Sequence, residues 1–114
     1  MLTMSLTAQT NTKDVTTRKY TKENPLVYED SWDLWPYSFL NEEGKPTGFN
    51  IELIDAIMRR LDIPYVVKLK AEEDAFRDLG DRRSDLMCGM YTEEHKKYGL
   101  FSNNVICLFT HSIV

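Results

Sequence analysis

Apolar residues recur at helical spacing over residues 50–62 and predict the clearest helix of the chain. The stripe is formed by Phe49, Leu53, Ile54, Ile57, Met58 and Leu61. Steps of this kind place all six side chains on one face of an α-helix. We expect Asn50 to cap the N-terminus, Glu52 to suit the positive end of the helix dipole, and Pro64 to stop the helix.

Shorter apolar runs on both sides of this helix predict strands and further helices. Strands are predicted at residues 26–28, 65–69, 85–90 and 105–114, a second helix at 72–79, and a short helix at 92–98 with Thr92 as its N-cap. Strands that alternate with helices are typical of βαβ units. The pattern therefore predicts an α/β fold: a partial doubly wound lobe, with a mostly parallel sheet and flanking helices.

The first 24 residues differ from the rest, and we expect them to form a flexible arm. Residues 1–8 end in small residues, as the last part of a secretory signal peptide does, but they lack its basic start. The end of a signal peptide and a disordered tail are both compatible with this segment. Residues 9–24 contain almost nothing apolar and cannot offset the entropy of ordering. The folded domain is therefore predicted over residues 25–114.

Charge and cysteine content narrow the possible partners. The net charge is −4, whereas binding of nucleic acid requires clustered Lys and Arg; we expect no nucleic-acid partner. Cys88 and Cys107 each lie in an apolar run, which favours buried free thiols over a disulfide. Cys107 and His111 are four residues apart, but one pair without further ligands is not a metal site.

The sequence lacks the usual marks of catalysis. The five glycines are scattered, so no phosphate-binding loop is present, and the two histidines are not at ligand spacing. The clustered carboxylates are typical of solvated faces. We therefore expect no catalytic residue, no metal and no cofactor.

An aromatic loop is the unusual feature of the chain. It follows the first predicted strand and carries Trp32, Trp35, Tyr37 and Phe39. Ligands of open α/β sheets bind beyond the carboxyl ends of the strands. The rings could stack on a ligand there, or they could form a hydrophobic cluster that holds the loop. Both interpretations are open at this stage.

Several motifs in order resemble the type 2 periplasmic binding fold, in the family 3 extracellular solute-binding group. The likeness runs from Leu26 to about Ile113. Its motifs are Trp35-Pro36-Tyr37-Ser38-Phe39, Gly44-Lys45-Pro46-Thr47-Gly48-Phe49 with Glu52-Leu53-Ile54, Ser84-Asp85-Leu86-Met87 with Gly89-Met90, Thr92-Glu93-Glu94-His95-Lys96-Lys97, and Phe101-Ser102. Their order and spacing together are specific, although each alone is weak.

This resemblance implies a periplasmic or extracytoplasmic clamp of two lobes that closes on a small polar solute. The chain matches the first part of lobe 1, so lobe 2 is expected to be missing and exposed sheet elements could pair in a homodimer. The ligand side of lobe 1 is expected to be lined by Trp35, Tyr37, Tyr91, Thr92 and His95.

Two departures from the family pattern shape the functional hypothesis. His95 stands where amino-acid-binding members usually carry Arg, and the loop at residues 90–92 is one residue short. Degenerate pockets of this kind are expected in sensors. The leading hypothesis is therefore a solute-sensing module of a two-component sensor histidine kinase, membrane-anchored in the full protein and not itself an enzyme. The alternatives are the solute receptor of an ABC uptake transporter and the regulatory domain of a lytic transglycosylase.

Overall fold

A computed structural model of the chain describes residues 2–8, 19–90 and 92–109. Within these residues, eight strands, two α-helices and one 3-10 turn occur in the order β1 (Leu2–Ala8), β2 (Leu26–Ser31), β3 (Asp33–Leu34), β4 (Ser38–Leu40), β5 (Pro46–Thr47), α1 (Phe49–Leu61), β6 (Tyr65–Lys70), α2 (Glu72–Gly80), β7 (Leu86–Met90), the 3-10 turn His95–Lys97, and β8 (Leu100–Phe109). The predicted strand at 65–69 and helix at 72–79 are each one residue longer than expected.

The main sheet has five strands in the order β6-β2-β7-β1-β8, and β3, β4 and β5 form a small antiparallel sheet. Within the main sheet, β2 pairs in parallel with β6 on one side and with β7 on the other. Each of these parallel connections runs through a helix, as expected for βαβ units. The predicted α/β fold with a parallel sheet and flanking helices is confirmed for this three-stranded part.

Two separate apolar clusters hold the helices against the sheet. The first joins Ile54 and Met58 of α1 to Leu26, Tyr28, Leu86 and Cys88. The second joins Ala75, Phe76 and Leu79 of α2 to Met87. Because successive strand residues point to opposite faces, Leu86 and Met87 contribute to different clusters. The helices therefore cover opposite faces, as in a doubly wound lobe.

Residues 2–8 form a strand, although we expected them to belong to a flexible arm. The backbone of β1 runs antiparallel to β7 and to β8 and lies between them. The pattern agrees with this position, because apolar Leu2, Met4 and Leu6 alternate with three polar residues. The part of the main sheet beyond β7 is therefore antiparallel, which the sequence analysis did not predict.

Other boundaries also differ from the expectations. The first helix is capped by Gly48, with φ 124°, and Asn50 is a buried residue of its first turn. The predicted short helix is a single 3-10 turn. The last strand begins at Leu100 instead of residue 105. The N-cap of α2 is Ala71, which is exposed.

Two further findings concern cysteine and membranes. Cys88 is buried and takes part in no disulfide, as predicted, while the side chains of Cys107 and His111 lie outside the part of the chain that the structure describes. Among the described residues, no helix is long and apolar enough to cross a bilayer.

Candidate functional site

The carboxyl ends of β2 and β7 lie at the same edge of the main sheet, because these two strands are parallel neighbours. The loop after β2 contains Trp35 and Tyr37, and the loop after β7 contains Tyr91, Thr92 and His95. The topology thus brings both predicted groups of site residues to one edge. Tyr91 itself lies outside the described residues.

The tryptophans of the first loop are largely open to solvent. Trp32 is 50% exposed and Trp35 is 75% exposed. The backbone N–H of Trp32 donates to the carbonyl of Lys70 at 3.0 Å, which ties the start of the loop to β6. A large exposed aromatic face is suited to stacking on a solute. Both indole rings are therefore available at this edge.

Tyr37 has a different place in the same loop. Its ring is half-buried and meets the ring of Phe49 edge-on, with the centroids 6.4 Å apart. Its carbonyl accepts a hydrogen bond from the backbone N–H of Asn50 at 2.8 Å. Tyr37 thus joins the end of the aromatic loop to the first turn of α1, so of the two roles that we considered for these rings it serves at least the structural one.

A buried carboxylate, Asp30, lies at the base of the aromatic loop. It accepts hydrogen bonds from the Tyr28 hydroxyl at 2.5 Å, the backbone N–H of Ser31 at 2.7 Å and the amide of Asn50 at 3.1 Å. Burial raises the pKa of Asp30 to about 6, and its hydrogen bonds to Tyr28, Ser31 and Asn50 oppose that rise. The carboxylate is therefore ionised at neutral pH and acts as an acceptor.

The preceding residue, Glu29, belongs to a second buried cluster on the α2 side of the sheet. One of its oxygens lies 3.1 Å from the Lys70 ammonium, which also contacts Asp78 at 2.5 Å. Burial raises the pKa of Glu29 to about 7, against the lowering effect of Lys70. The same ammonium lowers the pKa of Asp78 by hydrogen bonding. Lys70 thus contacts two carboxylates, of which Glu29 has a raised pKa and Asp78 a lowered pKa.

Thr92 and His95 are connected in the second loop. The Thr92 hydroxyl accepts the backbone N–H of His95 at 3.0 Å. The N-cap of the 3-10 turn is Glu94, whereas we predicted Thr92. The imidazole of His95 is buried and stacks on Phe76, with the ring centroids 3.7 Å apart. Its Nε2 lies 3.6 Å from a carboxylate oxygen of Glu73 at the start of α2. A protonated His95 would therefore face an acid of the protein itself.

The described residues offer no set of ligands for a metal. No three His, Cys, Asp or Glu side chains among them are close enough together to hold an ion. The polar groups at this sheet edge include backbone amides and hydroxyls, which can bind and orient a polar solute.

Sequence reasoning missed the buried carboxylates of β2. The sequence pattern predicts that the first strand ends at residue 28, whereas the strand continues through Ser31 and includes Glu29 and Asp30. The available signal was their direct continuation of an apolar strand run, which places one acid on each face of the sheet. Asn50 is predicted as the N-cap of the first helix, but its side-chain amide instead donates a hydrogen bond to Asp30.

Solved structures share this fold. A histidine kinase sensor domain with similarity to periplasmic binding proteins is 27% identical, with a TM-score of 0.58 over 64% of this chain and 32% of its own. The arginine-bound form of domain 1 from TmArgBP is also 27% identical, with a TM-score of 0.60 over 74% of this chain and 64% of its own. An ancestral cyclohexadienyl dehydratase is 23% identical, with a TM-score of 0.57 over 63% of this chain and 31% of its own, which shows a common fold alone.

Each of these two structures is longer than the part that matches this chain. The chain spans about a third of the sensor domain and under two thirds of domain 1 from TmArgBP. No curated protein matches the chain significantly. A sequence profile of the bacterial extracellular solute-binding proteins, family 3, matches residues 28–114, which is most of the chain. The chain therefore belongs to the family 3 bacterial extracellular solute-binding proteins.

Proposed function

We propose that this chain is part of an extracytoplasmic solute-sensing module of a two-component sensor histidine kinase, anchored to the membrane through the rest of the protein. The observation that carries the proposal is the likeness to a histidine kinase sensor domain at 27% identity. The aromatic edge of the sheet supports it, since two exposed indole rings beside capped backbone turns suit a small polar solute.

The second candidate is the solute receptor of an ABC uptake transporter. It is favoured by the equal identity to the arginine-bound domain 1 from TmArgBP. Both functions use the same binding step and differ in what the closed clamp contacts next. A sensor transmits closure to its own kinase, whereas a receptor delivers the solute to a permease.

The proposed binding step uses the residues of the two loops. Trp35 and Tyr37 would contact the solute from the loop after β2, and Tyr91, Thr92 and His95 from the loop after β7. The indole of Trp35 offers a face for stacking, and Tyr37 holds the loop against Phe49.

A ligand titration at several pH values tests this placement. L-arginine and L-glutamate serve as probes, and binding to the parent is compared with binding to Tyr37→Ala and His95→Ala. We expect Tyr37→Ala to weaken the binding of both probes, and His95→Ala to weaken the binding of the probe whose charged group reaches the loop after β7. Tyr65→Phe is the control, because Tyr65 lies at the opposite end of its strand. If both test variants bind as the parent does at every pH, the site lies elsewhere.

We further propose that the chain catalyses no reaction, although one structural neighbour is an ancestral dehydratase. No nucleophile paired with a base was recognised in the sequence, and the buried acids of β2 are engaged with protein groups. Assays for hydrolysis and for dehydration of cyclohexadienyl substrates should give no turnover. A turnover that disappears on replacement of one residue would contradict the proposal.

A further inference from the structure

Both tryptophans of the chain lie in one loop, and neither indole ring is buried. The chain contains two Trp residues, and both are at least half exposed. The loop runs from Ser31, at the end of β2, to Ser38, at the start of β4. Leu34 and Tyr37 pack against the α1 cluster, and the polar groups at the base of the loop add directional contacts where the chain leaves and re-enters the sheets.

Polar groups from both ends of the loop meet at Asp30. One carboxylate oxygen accepts the backbone N–H of Ser31, where the loop begins. The other accepts the Asn50 amide, and the backbone N–H of Asn50 binds the carbonyl of Tyr37, where the loop ends. Asp30 thus binds the start of the loop directly and is joined to its end through Asn50 in the first turn of α1.

We propose that Asp30 is a positioning residue that sets the orientation of the aromatic loop, residues 31–38, for contact with the solute. Asp30 is fully buried, so it acts through the loop and touches no solute itself. The orientation of the loop is independent of the proposed function, whereas its effect on binding rests on that function.

The site requires a carboxylate because the groups around it are donors. Three hydrogen bonds, from a hydroxyl, a backbone N–H and an amide, converge on its two oxygens. An ionised carboxylate can accept about four hydrogen bonds, whereas an asparagine side chain has one oxygen and brings a further donor. In Asp30→Asn, one amide oxygen replaces two carboxylate oxygens, so either the backbone N–H of Ser31 or the side-chain amide of Asn50 loses its acceptor. A buried donor without an acceptor is destabilising, so the base of the loop would open.

The two tryptophans make the loop directly observable by fluorescence, since no other part of the chain contributes indole emission. In Asp30→Asn, we expect the nanosecond anisotropy decay to gain a larger fast component than in the parent, while the far-UV circular dichroism is unchanged. Glu29→Gln is the matched control, because it neutralises the neighbouring buried acid, which faces Lys70 and Asp78 instead of the loop. Its decay should match that of the parent.

A double variant that exchanges the two side chains tests whether the effect of Asp30→Asn can be reversed. In Asp30→Asn combined with Asn50→Asp, the amide and the carboxylate exchange places, so their hydrogen bond can form again, and an acid in the first turn of α1 is favourable. We expect the fast component to fall back toward the parent value. If Asp30→Asn fails to fold, Asn50→Ala takes its place, because it removes one link to the loop and keeps the carboxylate; a smaller gain of the fast component is then expected.

Titration with L-arginine separates this proposal from the proposed function. If the parent binds, affinity should fall about tenfold in Asp30→Asn, the size expected for losing one charged hydrogen bond, and should recover in the double variant. If the parent does not bind arginine but the anisotropy changes as expected, the positioning role stands and arginine is not the solute. An Asp30→Asn decay equal to the parent, or an equal change in Glu29→Gln, would overturn the positioning role.

Discussion

Gly48 lies where the end of the aromatic loop passes closest to the start of α1. Its φ is 124°, and a Cβ atom there would lie 2.4 Å from the carbonyl oxygen of Tyr37. Gly48→Ala should therefore lower the free energy of unfolding by about 2–4 kcal/mol, since strain and a backbone clash combine. Gly44→Ala is the control, because Gly44 has φ 78° but open space around it, so about 1 kcal/mol is expected. Equal losses in urea denaturation would disprove the clash.

The buried acid Glu29 should make the stability of the chain depend on pH. Its pKa is about 7 in the folded state against an ordinary value of 4.5. Because the folded state keeps a proton that the unfolded chain releases, stability is greatest below about pH 4.5 and is lost as the pH rises through 7. Glu29→Gln should remove a loss on the order of 2–3 kcal/mol across this range.

Urea denaturation between pH 4.5 and 8 measures this effect. Part of the slope should persist in Glu29→Gln, because the raised pKa of Asp30, about 6, acts in the same direction. Glu43→Gln, in an exposed turn, should retain the full slope of the parent. Superimposable pH profiles of the parent and Glu29→Gln would contradict the assignment.

Among the secondary-structure elements, β1 joins the two halves of the main sheet. Within the described residues, β8 pairs with β1 alone. Proline in a central strand removes a ladder hydrogen bond, so Ser5→Pro should disrupt the pairing of residues 2–8 with both neighbours. In hydrogen exchange, amides of residues 100–109 should lose protection, while those of β2 and β6 keep it. Ser5→Thr serves as the control, and unchanged protection of β8 in Ser5→Pro would show that β1 does not hold it.

The elements also show how far sequence reasoning reaches. The helices were predicted within one or two residues because their apolar stripes are local and long. The alternation of Leu2, Met4 and Leu6 is just as regular, but its neighbours β7 and β8 lie about 80 to 100 residues further along the chain, and no local pattern indicates such pairing. The buried hydrogen bonding of Asp30 could not be predicted for the same reason, because its partner Asn50 is 20 residues away in the chain.

At the scale of the whole molecule, a strand that lies between distant partners can be exchanged between two chains. Ala8 pairs with Leu86, which also pairs with Tyr28, so the two ends of the segment 9–25 lie about two strand spacings, roughly 10 Å, apart across the sheet. Seventeen residues can extend to roughly 58 Å. The segment is therefore long enough to place β1 in its own sheet or in that of a second copy. We propose that reciprocal exchange of β1 produces a homodimer at high concentration.

A single cysteine tests this exchange, because Leu6 lies directly opposite the buried Cys88 in the pairing of β1 with β7. Directly opposed residues of antiparallel strands have Cα atoms about 4.5–5.5 Å apart, within the range that a disulfide can bridge. In Leu6→Cys combined with Cys107→Ser, oxidation should link residues 6 and 88 within one chain in dilute solution. At high concentration the same oxidation should yield a covalent dimer, with a matching rise of mass in light scattering. A chain that is cross-linked only internally and stays monomeric at high concentration would show that β1 does not exchange.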